Sequence, residues 1–173
     1  MEEFKKIIRE VPDFPKKGIL FYDITTLLAD TVSFKKLIDV LYERYKDKNI
    51  ETVVAIDSRG FIFGGALAYK LGAAFVPIRK KGKLPFKKIA ASYSLEYGED
   101  TVEMHADAFK PRSKVLLIDD LLATGGTMSA ATELVKKLKG EIVEVCFLIE
   151  LTSLKGRERL RSLPVYSVLQ YGG

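Results

Sequence analysis

The chain has 173 residues, 47% hydrophobic and 29% charged, the proportions of an ordinary soluble globule and enough for one domain with a sizeable core. No apolar run approaches the ~18 residues needed to cross a bilayer, and Met1-Glu2-Glu3-Phe4-Lys5-Lys6 places acids where a signal peptide has a basic start. One cysteine (Cys146, inside Val143–Ile149) excludes disulfides and Cys-based metal sites, and one histidine (His105) argues against a His-rich cage or a Ser-His-Asp triad. A reduced, cytoplasmic setting without a membrane partner is expected. The net charge of +5 is local: Arg79–Lys88 holds six cations and no acid, and removing those six charges leaves −1. That concentration predicts an anion bound at one loop. Nucleic acid is not expected, since the sequence has neither zinc-finger spacing nor an RNP-like aromatic motif.

No repeat, low-complexity tract or linker divides the chain, so residues 1–173 are expected to form one domain. Phe4, Ile7, Ile8 and Val11 recur at helical spacing, which predicts a short N-terminal helix ended by Pro12. Pro12–Gly18 reads as a loop, and Ile19–Leu28 as apolar and partly β-branched. Asp30 or Thr31 can cap a helix with Phe34, Leu37, Ile38, Leu41 and Tyr45 on one face. Thr52–Ile56 reads as a strand, followed by Asp57-Ser58-Arg59-Gly60, a helix to Leu71, the stop at Gly72 and a strand over Ala74–Ile78. Beyond the basic loop, Ile89–Leu95 and Thr101–Met104 read as strands around a polar turn. Lys114–Ile118 reads as a buried parallel strand, Thr127–Leu138 as a helix and Ile142–Ile149 as a strand. The alternation predicts an α/β fold with a mainly parallel central sheet flanked by helices. Ligands in such sheets sit beyond the carboxyl ends of the strands.

The segment richest in chemistry is Val115-Leu116-Leu117-Ile118-Asp119-Asp120-Leu121-Leu122-Ala123-Thr124-Gly125-Gly126-Thr127. Two carboxylates at the end of a buried strand are costly unless something there needs them. Neighbouring Asp119 and Asp120 point to different sides and can accept hydrogen bonds from a sugar diol. The small residues of Ala123–Thr127 let backbone N–H groups converge at a helix N-terminus, and Thr124 and Thr127 add hydroxyls, making a cup for a phosphate monoester. Neither Gly-x-Gly-x-x-Gly after a strand nor Gly-x-x-x-x-Gly-Lys-Ser/Thr occurs.

This segment resembles the phosphoribosyl diphosphate (PRPP) motif of the type I phosphoribosyltransferases. Asp57–Phe61, Arg79–Pro85, Ala91–Gly98 and Glu150–Arg157 narrow the resemblance to the adenine-specific family, over about Phe14 to Tyr171. It implies a small N-terminal hood from about residues 1–30, and transfer of the phosphoribosyl group from PRPP to adenine, giving AMP and pyrophosphate. Ala123, Thr124, Gly125, Gly126 and Thr127 would hold the 5′-phosphate, and Asp119 and Asp120 the ribose hydroxyls. Asp57, Ser58 and Arg59 would receive pyrophosphate, through an Asp57–Ser58 peptide expected to be cis. Lys80 and Lys83 would join them, Lys83 from the second subunit of a homodimer. Leu20, Phe21, Tyr22 and Leu151 would hold adenine, Phe21 by stacking. Glu96 and Tyr97 would lie over the reacting centre, Glu96 managing a proton. Mg²⁺ is implied, carried mostly by substrate oxygens without a dedicated protein cage. Tyr22 departs from the family, where many members have Arg. Ala123 stands where 6-oxopurine enzymes carry an aspartate. A regulator sensing PRPP while binding nucleic acid is the rival class, and no added nucleic-acid-binding segment supports it.

Overall fold

Three central strands set the frame because their side chains are buried on both faces. In the computed structural model, which describes residues 1–94 and 98–172, the N-terminal part comprises α1 (Glu2–Lys5), β1 (Arg9–Pro12), β2 (Leu20–Asp23), α2 (Thr25–Ala29) and α3 (Thr31–Tyr45). The body continues with β3 (Thr52–Ile56), α4 (Gly60–Leu71), β4 (Ala74–Lys80), β5 (Lys88–Ser94), β6 (Glu99–His105) and β7 (Lys114–Leu122). It closes with α5 (Gly126–Lys137), β8 (Glu141–Leu151), short 3₁₀ turns at Thr152–Leu154 and Gly156–Leu160, and β9 (Val165–Tyr171). Seven strands form one sheet in the order β5-β6-β4-β3-β7-β8-β9. The five from β4 to β9 run parallel, and β5 and β6 add an antiparallel edge. This is the expected α/β class.

Alternate residues of each central strand feed two cores. Val53, Ala55, Leu116, Ile118, Cys146 and Leu148 pack with α3 and α4, whereas Val54, Ile56, Val115, Leu117, Val145 and Phe147 pack with α5. Both faces are therefore covered, as a parallel sheet requires. Of the two cap candidates for α3, Asp30 is the one used: its Oδ1 accepts from Ser33 N–H at 2.7 Å.

Two expectations are corrected. The N-terminal helix stops at Lys5, and Arg9–Pro12 pairs antiparallel with Leu20–Asp23 instead. The Thr26 hydroxyl donates to the Ile7 carbonyl at 2.6 Å, taking the acceptor that a continuing helix would give to Val11 N–H. Asp13 Oδ1 closes the intervening loop on Gly18 N–H at 2.6 Å. Second, the strand expected to end at Ile118 runs to Leu122, because Asp119, Leu121 and Leu122 stay in register with Phe147, Ile149 and Glu150 of β8. The apolar stretch Ile19–Leu28 divides into a strand and a helix. Asp23 makes the break, accepting from both the backbone N–H and the hydroxyl of Thr25 at 2.9 and 2.7 Å. β9 had no counterpart in the sequence reading; it extends the sheet beside β8.

Candidate active site

The chain leaves β3 through α4 to β4 on one side, and leaves β7 through α5 to β8 on the other. The loops after β3 and β7 therefore part, and a crevice opens beyond their carboxyl ends. A cleft of about 380 Å³ occupies it, lined among others by Asp57, Ser58, Arg59, Asp119, Asp120 and Ala123–Thr127. Segments more than sixty residues apart in the chain thus meet where the topology reverses.

One wall is the loop into α5. Gly125 adopts φ 80°, a left-handed conformation that glycine takes without steric cost, and no side chain caps the helix. The first-turn N–H groups at this end lack intrahelical partners and carry the positive end of the helix dipole, the conditions for binding a phosphate. The loop is braced from behind, backbone against backbone. A Cβ on Gly125 would stand 2.5 Å from the Gly156 carbonyl oxygen, and one on Gly156 would stand 2.1 Å from that of Ala123. Gly156 is held in turn by its neighbour Arg157, which pairs with buried Glu150 and donates to the Val165 carbonyl at 2.8 Å. Glu150 also accepts from Ser167 Oγ at 2.7 Å and Gln170 Nε2 at 3.2 Å. The Arg157 guanidinium, followed by the Ser167 and Gln170 donors, holds the Glu150 carboxyl below its ordinary value against the opposing effect of burial. Nothing local in the sequence marks Gly156, Glu150 or Arg157 for this bracing role. Their signal was present only as part of the segment Glu150–Arg157.

Asp119 and Asp120 stand on the floor. Asp120 borders both the cleft and the adjoining apolar pocket, while Asp119 borders the cleft alone. Asp119 Oδ1 accepts from Asp120 N–H at 2.8 Å. Desolvation pushes the Asp119 carboxyl well above the usual carboxylate range, the Asp120 charge adds to it, and Arg59 opposes it. Arg59 is paired with Asp120 at 2.5 Å and lies over the Phe21 ring at 5.7 Å. Gly60 makes room for the floor: a Cβ there would meet Asp119 Oδ1 at 2.9 Å.

The opposite wall brings together Asp57, Ser58 and Lys80. The Asp57–Ser58 peptide is cis, as the resemblance implied. Arg79 Nε pairs with Asp57 Oδ2 at 3.0 Å, and Lys80 Nζ pairs with Asp100. Among the described residues, half of the basic segment's cations are thus already engaged, since Lys88 pairs with Glu103 at 3.4 Å. Lys83 is exposed and is not among the residues lining the cleft. Glu96 and Tyr97 lie outside the described residues.

A second pocket of about 120 Å³ opens from the cleft across Arg59 and Asp120, lined by Ile19, Leu20, Phe21, Tyr22, Ile24, Leu121, Ile149 and Leu151. All four residues expected around the base are there. Phe14 meets the Phe21 ring edge-on at 5.1 Å between centroids. The Tyr22 ring packs on Tyr171 at 3.9 Å, so the side chain at the departing position ties β2 to β9. Burial raises the pKa of both phenols, that of Tyr171 to about 12.

A polar cup at a helix N-terminus, two floor carboxylates and a joined apolar pocket suit a phosphorylated sugar carrying a flat base. The phosphoribosyl transferase domain model matches residues 23–169, and the chain belongs to that family. It is 58% identical to the adenine phosphoribosyltransferase of Acidobacterium capsulatum over 170 residues, covering 98% of this chain and 94% of the relative. Its fold matches the crystal structure of adenine phosphoribosyltransferase from Thermoanaerobacter pseudethanolicus with a TM-score of 0.95 and 46% identity, over 98% of this chain and 99% of that one. It also matches the Saccharomyces cerevisiae enzyme, complexed with an imino-altritol bisphosphate and adenine, with a TM-score of 0.92, 42% identity and 97% of each chain covered. The sequence expectation of an enzyme transferring the phosphoribosyl group of PRPP to N9 of adenine is borne out by these likenesses. No helix among the described residues is long and apolar enough to cross a membrane.

Proposed function

We propose that the cleft and its side pocket are the two halves of the site for this transfer, PRPP in the first and adenine in the second. The observation that carries the assignment is their junction. Arg59 and Asp120 border both, which would put the anomeric carbon of the sugar between phosphate cup and base. Ala123–Thr127 hold the 5′-phosphate, and Asp119 and Asp120 accept from the ribose hydroxyls. Asp57, Ser58, Arg59 and Lys80 receive pyrophosphate, with Lys83 supplied by a second subunit. Phe21 stacks on the base, and Leu20, Tyr22 and Leu151 complete its pocket. Glu96 and Tyr97 are assigned to the reacting centre from the sequence alone.

Adenine N9 attacks the anomeric carbon as its bond to pyrophosphate breaks, the sugar gains oxocarbenium character on the way, and the N9 proton passes to Glu96. The contribution of these residues is orientation and charge: cations on the leaving group, carboxylates near the developing positive sugar. The Arg59–Asp120 pair must open to free both groups for PRPP. Among the described residues no cluster of three His, Cys, Asp or Glu side chains could cage a metal. The donor set (Asp57, Asp119 and Asp120 spread along the cleft) fits Mg²⁺ carried mainly by substrate oxygens, which would neutralise charge on the departing pyrophosphate.

Residues 1–173 act as one domain whose first 30 or so form the hood, in a cytoplasmic homodimer. The apolar outer face of α4 supports the dimer: Ile62 and Tyr69, seven residues apart, are 41% and 91% exposed. The test of the whole reading is a purine panel with PRPP and Mg²⁺, following pyrophosphate release. Adenine should be converted to AMP and 6-oxopurines should not. Equal use of hypoxanthine would reject the base assignment, and nucleic-acid binding at physiological salt without turnover would favour the regulator.

A further inference from the structure

Lys80 ends β4 and stands on the cleft wall with its side chain half exposed. Its ammonium meets a carboxylate that belongs to neither the cleft nor the base pocket. Asp100, on β6, pairs with Lys80 Nζ through Oδ2. The same oxygen accepts from Tyr93 Oη at 3.0 Å, and Asp100 Oδ1 accepts from Thr101 N–H at 2.8 Å. Two donors besides Lys80 therefore hold the carboxylate, and it keeps its place if the lysine leaves. Tyr93 is anchored too: it lies opposite Asp100 in the β5–β6 ladder, and its ring is packed so closely on the start of α5 that a Cβ at Gly126 would meet it at 3.0 Å. The lysine is the mobile partner, an ammonium on a flexible four-carbon stem.

We propose that Asp100 competes with pyrophosphate for Lys80, taking the ammonium back as pyrophosphate leaves and thereby speeding release of that product. This rests on the assignment of Lys80 to pyrophosphate. In the free enzyme the Asp100–Lys80 pair keeps a cation at the cleft wall neutralised but ready. A bound pyrophosphate, with more charge, wins the lysine only by breaking the pair, so its net affinity is lowered by what the pair is worth. Such a residue acts on release without touching the ligand, and removing its charge should tighten binding. A residue that merely orients Lys80 toward the ligand would weaken binding when altered. The sign of the effect separates the two.

The experiment measures binding of pyrophosphate, with Mg²⁺ present, by calorimetry to the folded wild type, Asp100→Asn, Lys80→Ala and the double variant. Asp100→Asn should bind pyrophosphate about two- to fivefold tighter, the scale of a partly exposed ion pair. Its turnover should fall where product release limits the rate. Lys80→Ala should weaken binding, and adding Asp100→Asn to it should change nothing further. Unchanged or weaker binding in Asp100→Asn, while Lys80→Ala still weakens it, would overturn the competition and leave the Lys80 assignment standing. Equal tightening on the Lys80→Ala background would also overturn it, since Asp100 would then act by direct repulsion. If Lys80→Ala bound pyrophosphate normally, the Lys80 assignment itself would fail.

Discussion

The phosphate side of the cleft and the base pocket share a border at Arg59 and Asp120 but are made of different material. The first is built from backbone: the Ala123–Thr127 loop, its glycine in a left-handed conformation, and Gly156 pressed against it from behind. The second is built from side chains, brought from the β2 strand on one side and from the ends of β7 and β8 on the other. Backbone walls tolerate no added atoms, whereas a side-chain wall can be trimmed with graded loss. Binding of the sugar phosphate should therefore fail abruptly under small insertions, and binding of the base should weaken by degrees.

The largest effect is expected at the floor between the two. On the proposed assignment, replacing Asp119 and Asp120 together with Asn would remove two charge-assisted hydrogen bonds to the diol, each worth about ten- to a hundredfold. Turnover with PRPP should fall on the order of 10²–10⁴-fold in a folded protein. Asp119 is also held against its ionisation by burial and by Asp120. A carboxyl raised in the folded state costs stability above its unfolded value, so Asp119→Asn alone should raise the thermal midpoint at pH 7 while weakening PRPP binding. A lowered midpoint would contradict that account of the floor.

Next comes Gly156→Ala, which touches no substrate. Its methyl group would collide with the Ala123 carbonyl, displacing the cup by a fraction of an ångström to an ångström and costing about a hundredfold in kcat/KM for PRPP. KM for adenine should change far less, and a parallel rise in both would mean that the two sides are not separately built. Phe21→Ala should do the reverse, raising KM for adenine about tenfold by loss of stacking and leaving the PRPP constant within about twofold.

The smallest effect concerns the brace. Glu150 is depressed below its unfolded value of about 4.3. The stability it contributes is therefore present above that pH and is lost as pH falls through the folded value. Glu150→Gln should be less stable than wild type by about 1–3 kcal/mol at pH 7, with the gap narrowing below about pH 4. Denaturant melts across pH 3–7 check this, and a constant gap would remove the ionised Glu150 from the brace.

Much of the site was legible in the sequence because its signals are local. The run from Val115 to Thr127 places strand, carboxylates and helix start within thirteen residues, and the strand that carries them reads as apolar on both faces. The α/β class followed from the same alternation, and the resemblance carried Leu20, Phe21, Tyr22 and Leu151 to one pocket. What escaped depended on partners distant in the chain. The helical spacing of Phe4, Ile7, Ile8 and Val11 lost to pairing with Leu20–Asp23 and to the Thr26 hydroxyl on Ile7, nineteen residues away. β9, at the sheet's edge, carries Ser167 and Gln170, whose role shows only when Glu150 of β8 is seen to accept from both. The need for glycine at position 156 arises only where the Ala123 carbonyl comes to lie, thirty-three residues upstream. Residue type and spacing determined which groups were available. The crossing of the chain at the sheet's switch point decided which of them meet, because hydrogen bonds, ion pairs and steric contact act over a few ångströms whatever the separation in sequence.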